Sequence, residues 1–333
     1  MTSKTIIDAR WIGNHGIGRY AKEIISRIDS TNHLYSGSRM SPLDPIRLSI
    51  DLMKYKGNVF YSPGPTGPLH SRQKIAMTIH DLMLLDYPNE VPNYKRFYFD
   101  SVIKSIAKNA DLIFTVSEFS RRKISKWLKR TQDIIIAPNG LSKDFFPKES
   151  ECKNTSPPFF FYVGNLRPHK NLHGIIEAFH IFKKSNQSNK EFNLILTGES
   201  DDNLSHLIDK YEIHNSVVFL GNNLTDKKLA DYYSRSRAVL IPSFYEGFGM
   251  PALEGMACGA PIVSSKITSL PEVLDDVAIY IDPYNPESIA EGMFKAHYDK
   301  ELREKLIHDG RIRARNFTWD KSANIVNKFL HQL

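Results

Sequence analysis

A chain of 333 residues is too long for one ordinary hydrophobic core and suits two domains of about 150 residues each. With 41% apolar and 24% charged residues it has a globular composition, and no run reaches the roughly 18 apolar residues of a membrane span. The net charge of +7 is uneven: residues 1–150 hold 23 Lys+Arg against 14 Asp+Glu, the remainder 21 against 23. Cys152 and Cys258 stand far apart without a metal or disulfide pattern and read as free thiols. The chain starts straight into a strand-like run without the apolar core of a signal peptide, so the expected compartment is the cytoplasm.

Both halves alternate short apolar runs with amphipathic segments, the pattern of parallel sheets covered by helices. In the first half, strands are expected near 5–9, 58–62, 75–80, 112–116 and 134–138. After the first of these comes Gly13-Asn14-His15-Gly16-Ile17-Gly18-Arg19-Tyr20. Gly16 and Gly18 match the start of a dinucleotide fingerprint, but the acidic residue required about twenty positions on is missing. The glycines are instead expected to let the backbone approach a substrate, the alternative being a plain tight turn. His80-Asp81 ends a strand, where a histidine can donate to a sugar oxygen or a backbone carbonyl; Asp81 either orients the ring or caps the next segment. Residues 121–130, Arg-Arg-Lys-Ile-Ser-Lys-Trp-Leu-Lys-Arg, put Ile124, Trp127 and Leu128 on one helical stripe flanked by cations. Such a stripe suits a membrane interface or, equally simply, the protein's own core. Tyr94 to Phe99 form a second basic-aromatic cluster.

Residues 148–158 are polar and end in two prolines, which marks a linker. Beyond it strands are expected near 159–163, 193–197, 217–220, 238–242, 261–264 and 279–282. Gly164-Asn165-Leu166-Arg167-Pro168-His169-Lys170 follows the first. Lys170 and Arg167 at a strand end can stabilise the charge that gathers on a departing diphosphate without a metal. Thr197-Gly198-Glu199 and Leu220-Gly221-Asn222 are explained by turn formation alone. The densest signal is Glu246-Gly247-Phe248-Gly249-Met250-Pro251-Ala252-Leu253-Glu254, where a strand hands over to a helix. Pro251 suits the first helical turn and Gly259 its end. A helix N-terminus behind a glycine loop attracts an anion, while the two carboxylates would accept hydrogen bonds from vicinal sugar hydroxyls. Together they describe a site for a nucleotide sugar. Phe248 reads as a buried anchor of the turn rather than a stacking surface. Thr318 caps a last helix to about residue 331.

These motifs, with Tyr162-Val163-Gly164, Ala257-Cys258-Gly259-Ala260-Pro261, Thr78-Ile79-His80-Asp81, Thr115-Val116-Ser117-Glu118 and Pro138-Asn139-Gly140, resemble the retaining glycosyltransferase family 4 over nearly the whole chain. The resemblance implies a GT-B fold: α/β, two doubly wound Rossmann-like domains facing a cleft. It implies an acceptor-side domain over 1–150, a donor domain over 159–317, and a helix over 318–333 crossing back to the first domain. It further implies metal-independent transfer from a nucleoside-diphosphate sugar with retained configuration, and no cofactor. Glu254 would hold the donor ribose, and Glu246 with the Gly247–Gly249 amides the hexose. Lys170 and Arg167 would meet the diphosphate beside Gly164 and Asn165, and His80 would face the reacting sugar with Gly16 and Gly18 nearby. Two departures stand out: Asn165 and His169 occupy positions where many members carry arginine. The stretch from Ser26 to Asn58 looks short for acceptor-binding elements.

The closest flavour is that of bacterial mannosyl- or rhamnosyltransferases of O-antigen and capsule assembly. Mannose from GDP-mannose onto a lipid-linked glycan is the first expectation, with rhamnose or glucose transfer as alternatives. A nucleotide-sugar epimerase or a non-catalytic binder are the readings from other classes. The basic first half suggests an anionic membrane surface, on the inner face of the cell membrane, as a partner. Nucleic acid fits less well, because the basic residues lie beside a sugar-nucleotide site rather than on a reading helix.

Overall fold

The computed structural model describes residues 5–13, 15–29, 32–39, 41–130, 133–146 and 157–333; Asn14, Cys152 and most of the expected linker lie outside them. Two parallel sheets of six strands organise the chain. Its contacts divide it into one unit of Met1–Gly140 with Phe317–Leu333 and another of Leu141–Asn316. The division falls just ahead of the polar 148–158 segment, and the last residues belong to the first unit.

In the first unit β1 (Thr5–Asp8), β2 (Asn32–Leu34), β3 (Val59–Ser62), β4 (Lys74–Thr78), β5 (Leu112–Thr115) and β6 (Ile134–Ile136) lie in the order β2-β1-β3-β4-β5-β6. β1, β3 and β5 are buried along their whole length, which is why they read as unbroken apolar runs. The sequence reading found five strands here and missed β2. Asn32-His33-Leu34 is short, half polar and on the sheet edge, so it carries neither an apolar run nor a clear alternation. The stretch that looked short holds β2 and a helix over Asp44–Leu52.

That helix is anchored by a buried ionic knot. Arg10 donates to both oxygens of Asp8 at 2.7 Å each and to Asp44 at 2.6 Å. Thr66 donates to Asp8 at 2.9 Å and accepts from the Trp11 indole at 2.9 Å. Every partner is buried and each charged side chain is hydrogen-bonded, the two carboxylates sharing one guanidinium; hydrogen-bonded pairing is the condition under which buried ions are tolerated.

The helix over Glu118–Leu128 corrects the interfacial reading of residues 121–130. Ile124 and Leu128 lie in the first unit's core with Met77, Ile113 and Ile134, and Trp127 packs against them. Trp127 also stacks on Phe99 at 5.4 Å and donates its indole N–H to Asp100 at 2.7 Å. Arg121 and Arg122 pair with Glu118 and Lys123 with Asp86. The apolar stripe thus faces inward, and three of its flanking cations are paired with two carboxylates. The closing helix, Trp319–Leu330, is capped by Thr318, which accepts from the Lys321 N–H. Its Trp319 meets Tyr20 edge-on, ring centroids 6.0 Å apart, and Ser322 donates to the Pro138 carbonyl.

The second unit contains β7 (Phe159–Tyr162), β8 (Asn193–Leu196), β9 (Val217–Phe219), β10 (Ala238–Ile241), β11 (Ile262–Ser265) and β12 (Ile279–Ile281), ordered β12-β11-β10-β7-β8-β9. Ile175, Ile176, Phe179 and Phe182, at helical spacing, pack the Leu172–Ser185 helix onto Phe160, Leu194 and Leu240; each such side chain contributes roughly 1.5–3 kcal/mol by burial. The chain winds one way from β7 through β8 to β9 and the other way from β10 to β12. Loops leaving adjacent β7 and β10 therefore part company, and doubly wound sheets hold ligands at such a switch point.

Candidate functional site

After β7 the chain turns through Gly164 to Lys170. The Tyr162 hydroxyl donates to the Asn165 carbonyl at 2.7 Å. The Asn165 side chain in turn accepts from the Arg167 N–H at 3.2 Å. Asn165 is thereby employed in shaping the loop. The Gly164 N–H donates to Thr197 Oγ1 at 3.0 Å, which ties this loop to the end of β8. Pro168–Lys170 make one 3-10 turn that buries His169. Asn171, at φ 61°, then caps the following helix by accepting from the Gly174 N–H. Its amide donates to the carbonyls of Pro242 at 3.1 Å and Pro283 at 2.7 Å, so one buried side chain joins the loops after β7, β10 and β12.

Lys170 reaches across the switch point and donates to Glu246 Oε1 at 2.7 Å. The side chains are only 15% and 9% exposed, so little water screens the pair. Ser243 donates to the same oxygen at 2.9 Å. The backbone of Glu246 is fixed as well: its N–H donates to Thr268 Oγ1 and its carbonyl accepts from Ser269. Burial, aided by the Glu246 charge, holds the Tyr162 hydroxyl well above the ordinary phenol range. Beyond Glu246 the chain turns at Gly249, φ 93°, which precedes the helix Met250–Ala257 with Pro251 in its first turn. Phe248 is 5% exposed and anchors the turn. Glu254 is buried and accepts from the Tyr233 hydroxyl at 3.0 Å. Lys170, Glu246 and the Gly247–Gly249 turn thus meet beyond the carboxyl ends of β7 and β10, and Glu254 stands in the helix that the turn opens. Arg167 is exposed and has no ion pair among the described residues. Ser243, Tyr233, Thr268, Ser269 and Asn171 complete the arrangement, and the sequence reading gave none of them a role.

The first unit places His80 and the glycines at the corresponding end of its own sheet. The His80 ring lies edge-on to Tyr20 at 4.7 Å, and its Nε2 is 3.0 Å from the Pro63 carbonyl oxygen. A carbonyl only accepts, so Nε2 carries the proton and Nδ1 presents a lone pair. Burial, aided by His15, pushes the imidazole down to about 4, which keeps it neutral at neutral pH. Asp81 accepts from the Met83 N–H at 3.0 Å, the capping alternative. Gly16 opens the helix Gly16–Ile25, and His15 caps it by accepting from the Gly18 N–H. A Cβ at Gly18 would lie 2.4 Å from the Gly13 carbonyl oxygen, whereas one at Gly16 would meet nothing within 4 Å. Packing therefore demands a glycine at 18 and leaves the one at 16 unexplained.

Residues 144–313 match the family model described as glycosyl transferases group 1. The chain belongs to this family. It is 30% identical over 290 residues to O-antigen chain mannosyltransferase B of Escherichia coli, a match covering 84% of this chain and 75% of that one. It is 30% identical over 227 residues to the O-antigen chain mannosyltransferase RfbU of Salmonella typhimurium, covering 67% and 60%. Among solved structures, HepE of Anabaena in complex with UDP-glucose superposes with a TM-score of 0.79 at 15% identity, over 99% of this chain and 100% of that one. The enzyme is thus a group 1 glycosyltransferase with the GT-B fold, and its family implies a nucleotide-sugar donor.

Proposed function

We propose that this glycosyltransferase moves a hexose, mannose from GDP-mannose, to a glycan acceptor on a lipid carrier in surface polysaccharide assembly, with retained configuration and without a bound metal or cofactor. The observation that carries the reading is the Lys170–Glu246 pair at 2.7 Å, set between the two loops of the switch point. Glu254 stands on the helix that begins just beyond it. In this scheme Lys170 and the exposed Arg167 face the diphosphate and neutralise the charge that develops as the sugar–phosphate bond breaks. Losing one such preorganised donor costs roughly 100- to 1,000-fold in turnover in other enzymes. Glu246 and the Gly247–Gly249 amides hold the hexose, Glu254 the ribose, and His80 accepts a hydrogen bond from a sugar hydroxyl at Nδ1. Gly16 gives the sugar or phosphate a close approach to backbone. Mannose is favoured over rhamnose or glucose because both relatives named above are mannosyltransferases.

The test is incubation with a panel of nucleotide sugars, with and without a lipid-linked glycan acceptor and with and without EDTA. Slow hydrolysis of GDP-mannose alone, faster consumption with acceptor, and indifference to the chelator are expected. Preference for another sugar removes mannose, and a metal-reversible loss in EDTA removes the metal-free scheme. Appearance of an epimerised sugar, or no turnover of any donor, would replace transfer with one of the other two classes.

A further inference from the structure

The helix Asp44–Leu52 is apolar on two faces. Inward, Leu48 and Leu52 join Ile6, Leu34 and Phe60 in a core cluster. Outward, Leu43, Ile46, Ile50 and Met53 are 69%, 48%, 56% and 74% exposed. At 100° per residue these four fall within an arc of about 80° along the helix and its two ends. Leu69, 49% exposed, extends the patch: its N–H donates to the Pro45 carbonyl and the next N–H donates to Ser49 Oγ. A soluble surface seldom leaves so many large aliphatic side chains side by side unless something covers them.

The surrounding charges say what would cover it. Arg47 and Lys54 flank the stripe on one side, sharing the single carboxylate of Asp51. Lys56 and Arg72 are exposed without an ion pair among the described residues. The short helix Asn93–Tyr98 adjoins the other, N-terminal end, since Tyr98 donates to the Ser41 carbonyl at 3.2 Å. It adds Tyr94 and Phe97, 69% and 75% exposed, with Lys95 and Arg96 between them. Apolar and aromatic side chains ringed by unmatched cations are the composition that seats a helix in the headgroup layer of an anionic bilayer. The buried Asp8–Arg10–Asp44 knot fixes the helix on the sheet, so no folding step is needed on contact.

We propose that the outer face of the Asp44–Leu52 helix, continued by Leu69 and the Asn93–Tyr98 helix, docks the first unit on an anionic lipid surface. The docking stands on exposure and charge alone; only its use, bringing the enzyme to a lipid-linked acceptor, rests on the proposed transfer reaction. The test is co-sedimentation of the full chain with phosphatidylcholine vesicles, with and without phosphatidylglycerol, across a salt series. Binding is expected to need phosphatidylglycerol and to fall with salt. Joint substitution Ile46→Glu and Ile50→Glu is expected to reduce it at least about tenfold, and Lys54→Gln or Lys56→Gln about fivefold each. Because the substituted side chains are exposed, thermal melting should match the parent, and Ile46→Ser with Ile50→Ser serves as a milder pair. No binding at low salt, equal binding to neutral vesicles, or an unchanged double variant would overturn the proposal. So would light scattering that finds a dimer which the double variant dissolves, since a second copy would then be the occupant. GDP-mannose hydrolysis by the parent protein, measured alongside, separates the two readings: hydrolysis without any vesicle binding defeats docking alone, and vesicle binding without hydrolysis defeats transfer alone.

Discussion

Glu246 and Glu254, with seven residues between them, have different neighbours, and the difference predicts different phenotypes. Glu254 has a phenol for a partner, so Glu254→Ala removes a ribose acceptor, weakening free nucleotide binding by roughly 1.5–3 kcal/mol. Glu246 is held by Lys170 and Ser243, so Glu246→Ala is expected to lower turnover with a modest effect on free nucleotide. Calorimetric titration with the nucleoside diphosphate, set beside donor turnover, checks this division, and equal binding losses in the two variants would remove it. The glycine pair gives a second contrast. Gly18→Ala drives a Cβ into backbone and should abolish folding or shift the helix. Gly16→Ala meets open space and should leave stability unchanged or raise it by up to about 1 kcal/mol, while activity falls. Unaltered turnover in Gly16→Ala would show that no ligand approaches there. The two glutamates and Lys170 were legible because they sit in dense motifs with glycines and proline. Ser243 and Tyr233 were not, since one hydroxyl ending an apolar strand and one in a polar helix resemble any other.

The elements behave according to how clean their periodicity is. β7 to β12 stood out as short apolar runs because a parallel sheet covered on both faces needs them. The Glu118–Leu128 stripe was equally legible as a pattern, but a stripe carries no label saying whether core or lipid will cover it. Packing answered in favour of the core. The Asp44–Leu52 helix went unread for the opposite reason: apolar residues on two faces blur the 3.6-residue signal. At the Met250–Ala257 helix the entry turn is the vulnerable point. Gly249 sits at φ 93°, and a Cβ there would come 2.7 Å from Leu270 Cδ2. Gly249→Ala is expected to cost about 1–2 kcal/mol, seen as a lower urea midpoint. It should also reduce turnover by displacing the turn that carries Glu246; full activity would mean the amides of that turn take no part.

Across the whole molecule, acid should loosen each unit through one histidine. His80 in the first unit and His297 in the second are both pushed down to about 4, chiefly by burial. Their protonation is depressed in the folded state, so stability is level above the unfolded value of about 6.5. As the pH falls from there toward 4, the unfolded chain takes up protons first and stability drops, by roughly 2–3 kcal/mol per histidine at most. Trp11, Trp127 and Trp319 all lie in the first unit, so tryptophan fluorescence reads His80 while far-ultraviolet dichroism reads both units. His80→Gln should flatten the fluorescence-detected dependence and His297→Gln only the other; identical slopes in parent and variants would discount the histidines. The division of the chain also has a consequence for its birth. The first unit is not a contiguous segment, for Trp319 covers Tyr20 and Ser322 grips Pro138. At about 5–20 residues per second on the ribosome, the first sheet is made early but waits through the entire second unit for its final helix. The half synthesised first is therefore the half completed last, and until then Tyr20 and the foot of the Gly16–Ile25 helix stay uncovered.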